Sequence, residues 1–205
     1  MSTSKVKKQS LSQKEKDLNE VRLDIQNFKV EHEYAHVFDE YKDRINNSVP
    51  GEGSANAKLM FVGEAPGKNE DLTGQPFCGA SGRILDECLS NIGLSRSDVF
   101  ITSILKYRPP ENRDPRPDEI KASISFLKRQ IDIIDPKIIV LLGRFALNIF
   151  FPDQNISSIH GQMLKKADRY YLPIFHPATV LYNGKTKPQY MEEFSRLNHL
   201  LELIK

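Results

Sequence analysis

A chain of 205 residues, 39% apolar and 27% charged, is long enough for one α/β domain with an extension and apolar enough to build a core. No apolar run approaches the roughly 18 to 20 residues that cross a bilayer, and Met1 to Lys8 lacks the apolar stretch of a secretory leader, so a cytoplasmic protein with no membrane partner is expected. The net charge of +2 is too small to argue for nucleic acid by itself, and Cys78 and Cys88, without a Cys or His cluster beside them, predict no metal and no cofactor.

In chain order, Lys5, Lys7, Lys8, Lys14 and Lys16 face one acid, Glu15, and form either a solvated tail or an arm for phosphates. Leu18, Val21, Ile25 and Phe28 recur at spacings of three or four and predict an amphipathic helix within 10–34. Pro50 to Ser54 reads as a loop, and Lys58 to Val62 as a buried strand. Gly63, Ala65, Pro66 and Gly67 then bracket Glu64 in a sharp turn at the strand's exit. Residues 68–82 read as a long polar loop carrying Phe77, either a plug for the core or a working ring. Ser81 caps a helix whose buried face is Ile84, Leu85, Cys88, Leu89 and Ile92, ended by Gly93. Val99 to Leu105 is a second buried strand. It runs into Lys106 to Pro117, where four prolines and four basic residues make a stiff loop, suited to phosphates or a plain connector. Asp118 to Ile134 predicts a helix, Lys137 to Gly143 a strand, and Gly143 to Phe150 a short helix. Ser157 to Tyr171 suits a hairpin or a bent strand. Leu172 to Phe175 forms the last strand, leading to His176-Pro177, and a final helix starts at Pro188.

Strands separated by helices predict a three-layer α/β/α sandwich with a central four-stranded parallel sheet, formed by residues 49–205, with 1–48 as a basic arm and helical extension. In such sheets ligands bind outside the carboxyl ends of the strands. Glu64, Phe77, Ser103 and His176 would collect there as a pocket for a flat polar ring. The phenyl face would stack on a base, the small hydroxyl would read its edge, and the imidazole would hold charge on a departing oxygen. The carboxylate would orient a water or stabilise a sugar cation.

Four ordered stretches carry a resemblance: Gly63 to Asp71, Gly74 to Gly79, Lys106 to Pro115, and His176-Pro177-Ala178. Together they resemble the uracil-DNA glycosylase superfamily, most closely its family 4, over residues 49–204. The resemblance implies a monofunctional enzyme that flips uracil from DNA and hydrolyses its N-glycosidic bond. It implies that Glu64 works with the hydrolytic water, Phe77 stacks on the uracil, and His176 stabilises the leaving base. Gly63, Ala65 and Gly67 would lie close to the base. Arg108, Pro109, Pro110, Arg113 and Arg116 would press on the DNA backbone, beside Pro177 and Ala178, with Val180 or Leu181 as the wedge. Uracil-containing DNA is the expected partner, with no obligate protein partner and a monomeric state.

The chain departs from that family twice. Family 4 holds a four-iron, four-sulfur cluster on four cysteines. Here Tyr107 stands at the third position and Ser125 or a neighbour at the fourth, so no cluster is expected, and packing around Tyr107 and residues 34–48 replaces it. The asparagine that reads uracil aligns with Ser103, a shorter group without an amide's paired geometry. Two alternatives therefore stay open: a catalytically weak nucleic-acid-binding protein, or a glycosylase with broader choice of deaminated bases. A nucleotide-binding fold is disfavoured because Gly63 and Gly67 lack the dinucleotide and phosphate-loop spacings.

Overall fold

The four apolar runs form the centre of one sheet. A computed structural model describes residues 12–31 and 47–203. In it β2 (Leu59–Gly63), β3 (Phe100–Ser103), β4 (Ile138–Leu142) and β6 (Arg169–Ile174) pair in parallel in the order β3-β2-β4-β6. Side chains of a strand alternate between its two faces, and here both faces are buried. Leu59 and Phe61 of β2 therefore point toward α3 (Ala80–Asn91) and α8 (Lys187–Leu203). Met60 and Val62 point toward α4 (Pro117–Ile134) and α5 (Arg144–Phe150). That alternation is why continuous apolar strands, rather than half-polar ones, mark the sheet.

Among the described residues the sheet has six strands rather than four. β1 (Glu52–Gly53) and β5 (Leu164–Lys166) pair antiparallel at its two edges. Strands of two and three residues offer no periodicity, so β1 reads in the sequence as loop. Residues 157–171 resolve into α6 (Ile156–Ile159) and the arms of the β5–β6 hairpin. The region 68–82 is also corrected: it opens with α2 (Lys68–Thr73), started by Gly67 and closed by left-handed Gly74. The last strand leads through Pro177 into α7 (Ala178–Tyr182).

The amphipathic helix is present as α1 (Gln13–Glu31), and it packs on the outside of α4. Val21, Ile25 and Phe28 are buried with Ala122, Phe126 and Tyr107 in a small third core. Phe28 meets Phe126 edge-on, with ring centroids 5.0 Å apart. The Tyr107 hydroxyl donates to the Ile25 carbonyl. Lys14 donates to the carbonyl of Ile134 at 2.9 Å, so one lysine of the basic arm ties α1 to the end of α4. Lys5, Lys7, Lys8 and residues 34–46 lie outside the described residues. Among the described residues no helix is long and apolar enough to cross a membrane.

Ile25→Ala should lower stability by about 2 to 5 kcal/mol, because it opens a cavity in a completely buried position. A urea titration reads this as a lower midpoint at unchanged slope. An unchanged midpoint would mean that α1 does not unfold with the rest of the chain.

Candidate active site

The parallel register brings the expected groups to one edge of the sheet. Gly63 pairs with Ser103, and beyond the strands the Leu105 amide donates to the Glu64 carbonyl at 3.1 Å. On the other side of β2, the Gly143 amide donates to Ile174 at 2.9 Å. A Cβ on Gly143 would lie 3.2 Å from the His176 Cβ, so the ends of β4 and β6 are also in contact. A cavity of about 330 Å³ opens there, lined by Ala65, Gly67, Phe77, Ser103, His176 and Ala178 among others. Its size suits a nucleobase. A larger cavity of about 800 Å³ lies between α1 and the β1 edge, and none of the strand-end groups reaches it. Chemistry, not volume, identifies the smaller one.

Phe77 forms a wall of this cavity. Its ring centroid is 5.6 Å from that of His176, the planes tilted by 30°. The ring lies so close to β2 that a Cβ on Gly63 would fall 2.6 Å from its Cζ. Gly63 is therefore required by close approach. Ser103 is 3% exposed and stands next to that contact, 3.3 Å from the same added Cβ. Beneath it Lys106 is wholly buried. Its Nζ donates to the Thr102 hydroxyl at 2.6 Å, the Ser103 carbonyl at 2.7 Å and Gln130 Oε1 at 2.8 Å. Burial pushes this lysine's pKa down to about 7.

The two ionisable groups are shifted in opposite directions by one cause. Burial holds His176 down at about 4, although the Glu70 carboxylate opposes this, so the imidazole is neutral at physiological pH. The Ala178 amide donates to His176 Nδ1 at 3.2 Å, which makes Nδ1 an acceptor and leaves the proton on Nε2. Burial also lifts Glu64 to about 7, helped by Asp114 and opposed by Arg144. Asp114 and Arg144 form an ion pair with each other. Glu64 itself is half-buried and follows Gly63 at the strand end, but it is not among the residues that line the cavity, and the charges that act on it are those of Asp114 and Arg144.

Glu70 is a site residue that the sequence pattern does not single out. Its carboxylate accepts the Gly67 amide at 3.1 Å and the Gly79 amide at 3.0 Å, stapling the two ends of the loop that surrounds the cavity. The available signal was the spacing Gly67-x-x-Glu70, a helix N-terminus pattern. Asn69 and Asn112 also line the cavity and are the two amide side chains in its lining. Lys68 reaches its rim from the first turn of α2.

The expected DNA-facing residues divide. Arg108 donates to Asn112 Oδ1 at 2.7 Å. Arg113 grips buried Glu119 through both terminal nitrogens, at 2.9 and 2.7 Å, and stiffens the loop. Arg116 is exposed and its amide starts α4 by donating to Glu119 at 2.8 Å. Pro109 and Pro177 are buried, while Pro110 begins a tight turn through Asn112. Val180 is corrected as a wedge: at 5% exposure it belongs to the core packed by α3 and α8. Leu181 is 46% exposed, and Tyr182, not singled out from the sequence, is 91% exposed beside it.

The residues do not fit an iron–sulfur cluster. The chain has two cysteines, and four thiolates are needed. Cys88 is buried in the core and donates to the Met191 sulfur at 3.3 Å, while Cys78 lies 3.2 Å from the Thr73 hydroxyl on the cavity loop. Tyr107 fills the third position with a buried phenol. On α4, Ser125 is exposed, and the buried neighbour is Ser123, on the side of Ala122 and Phe126. Among the described residues no group of three or more His, Cys, Asp or Glu could hold a metal ion.

The fold is thus an α/β/α sandwich that gathers an aromatic wall and a neutral histidine in one cavity at the carboxyl ends of its parallel strands. Residues 50–197 match the family model for the uracil DNA glycosylase superfamily, and the chain belongs to that superfamily. The type-4 uracil-DNA glycosylase of Archaeoglobus fulgidus is 43% identical over 164 residues, covering 75% of this chain and 82% of the relative. That of Sulfurisphaera tokodaii is 46% identical over 164 residues, covering 75% and 74%. A type-5 uracil-DNA glycosylase of Pyrobaculum aerophilum is 31% identical over 153 residues, covering 66% and 67%.

The purified protein should be colourless, carry no stoichiometric iron, and unfold at the same temperature with or without a chelator. A brown protein with bound iron would overturn the assignment of Tyr107 and α1 as the packing at that place.

Proposed function

We propose that this chain is a monofunctional uracil-DNA glycosylase of base excision repair, working without an iron–sulfur cluster. The observation that carries the reading is the juxtaposition of the Phe77 ring and a neutral His176, protonated on Nε2, in one base-sized cavity. The flipped uracil stacks on Phe77, and Ala65 and Gly67 lie against its edges. As the bond between N1 and C1′ breaks, its electron pair leaves with the base and spreads onto O2, where the Nε2–H of His176 donates to it. Water adds to C1′ of the resulting sugar cation, and its proton passes to the Glu64 carboxylate. An uncharged donor suits an anion that exists only during the reaction, since it gains most in the transition state.

Leu181, with Tyr182 next to it, fills the gap in the duplex, while Arg108, Pro110 and Arg116 border the backbone of the flipped nucleotide. Residues 49–205 form the catalytic unit, with 1–48 as an extension, and the protein acts as a cytoplasmic monomer on uracil-containing DNA. Ser103 favours a second reading of substrate range, because one hydroxyl distinguishes uracil from other deaminated bases less sharply than an amide does. The two alternatives separate on a panel of uracil, hypoxanthine and xanthine oligonucleotides.

Alkali after incubation with uracil-containing DNA should reveal abasic sites, and borohydride should trap no protein–DNA adduct at Lys68. A blank with intact DNA binding would instead support a binding protein. His176→Ala should lower kcat by about 10² to 10³ while leaving DNA affinity nearly unchanged. Glu64→Gln should cost about 10² to 10⁴.

The pH dependence follows from the two shifts. Glu64 must be ionised to take the proton, and its carboxyl sits at about 7, so kcat should rise as pH passes through about 7 and then level off. His176 at about 4 stays neutral throughout and adds no limb in that range. Glu64→Gln should remove the limb near 7, and its survival in the variant would assign it to another group.

A further inference from the structure

Phe77 has a backbone φ of 50°, a left-handed conformation that bulky residues rarely adopt. Neither neighbour in sequence supplies a reason, since Pro76 and Cys78 do not demand it. The support comes from Arg96, nineteen residues further on, in the tight turn Arg96–Asp98 that leads into β3. Its Nη2 donates to the Phe77 carbonyl, and its Nη1 to the Pro76 carbonyl at 2.8 Å. The guanidinium is itself oriented by Glu52 of β1, at 2.6 Å from Nη1, and by Asp86 of α3, at 2.6 Å from Nε. A planar fork of five donors is suited to hold two successive carbonyls and two carboxylates at once.

The packing behind Phe77 leaves this fork little freedom. A Cβ on Gly82 would fall 1.6 Å from the Phe77 carbonyl oxygen and 3.2 Å from Arg96 Nη2, so the first turn of α3 presses on the same carbonyl. In front, the ring rests against Gly63. Phe77 is thus fixed at both ends, its carbonyl by Arg96 and its ring by β2.

We propose that Arg96 is the positioning residue for base stacking in this enzyme: by clamping the Pro76 and Phe77 carbonyls it holds the ring in the plane that a flipped base must meet. The proposal rests on the reading of Phe77 as the stacking ring. Arg96 touches neither base nor sugar, and acts only through Phe77.

A double-mutant cycle tests this. Steady-state kinetics on a uracil oligonucleotide are compared for wild type, Arg96→Gln, Phe77→Ala and the double variant, at a temperature where near-ultraviolet circular dichroism shows each to be folded. Arg96→Gln should lower kcat/KM by about 100-fold, the scale of a roughly 1 Å misplacement. Arg96→Lys should not rescue it, because one ammonium cannot span the two carbonyls and both carboxylates. Once Phe77 is already Ala, Arg96→Gln should change kcat/KM by no more than about twofold. Glu52→Gln, which keeps the guanidinium but loosens it, should give a smaller loss that also vanishes without the ring, and it serves as the readout if Arg96→Gln does not fold. A full additional loss in the Phe77→Ala background would overturn the clamp while leaving the stacking reading intact. Wild-type kinetics in Arg96→Gln would likewise overturn the clamp. Wild-type kinetics in Phe77→Ala would instead overturn the stacking reading.

Discussion

Parallel pairing of four strands buried on both faces leaves one place where working polar groups can gather. Along β2, β3, β4 and β6 almost every side chain packs against a helix layer, so a carboxylate or an imidazole within them would be stranded without water. Only past the carboxyl ends does the chain turn outward. The strand order strengthens this, because the chain leaves β2 for β3 on one side and returns to β4 on the other. The crevice at that reversal lies above Gly63 and Glu64. Ser103 and His176 then arrive from the two flanks without any further device.

Desolvation explains the chemistry of the cavity as well as its shape. The same loss of water discharges His176, raises Glu64 and lowers Lys106. The imidazole beside Phe77 is therefore uncharged at rest, while Lys68 and Glu70 supply the charged side chains of the cavity lining. In the proposed reaction charge develops when the glycosidic bond breaks, and the Nε2–H of His176 is already in place to meet it. The Glu70 carboxylate adds order at low cost, because both of its oxygens accept backbone amides of the surrounding loop.

The sequence made the centre of the fold legible because long apolar runs have one explanation in a parallel sheet. It did not reveal β1 or β5, since two or three residues at an edge carry no period. Helix α2 was hidden for a related reason: Lys-Asn-Glu-Asp-Leu-Thr is polar almost throughout, and its one apolar residue, Leu72, is exposed. Within the site, the strand-end residues were legible from turn chemistry. Arg96 and Lys106 were not, because their importance lies in contacts across the fold that no local pattern encodes. Val180 and Leu181 show the limit most plainly. Both are apolar and adjacent, and only the direction of one helical turn decides that the first is core and the second is exposed.

The seam between α1 and α4 reaches further than stability. At the position where the family-4 resemblance would place a cluster cysteine, this chain places a phenol, packed with two phenylalanines and aliphatic carbon. Hydrocarbon contacts survive peroxide and metal starvation alike, and they form as the polypeptide folds without any loading machinery. A repair enzyme built this way holds this seam by packing alone, with no metal to lose.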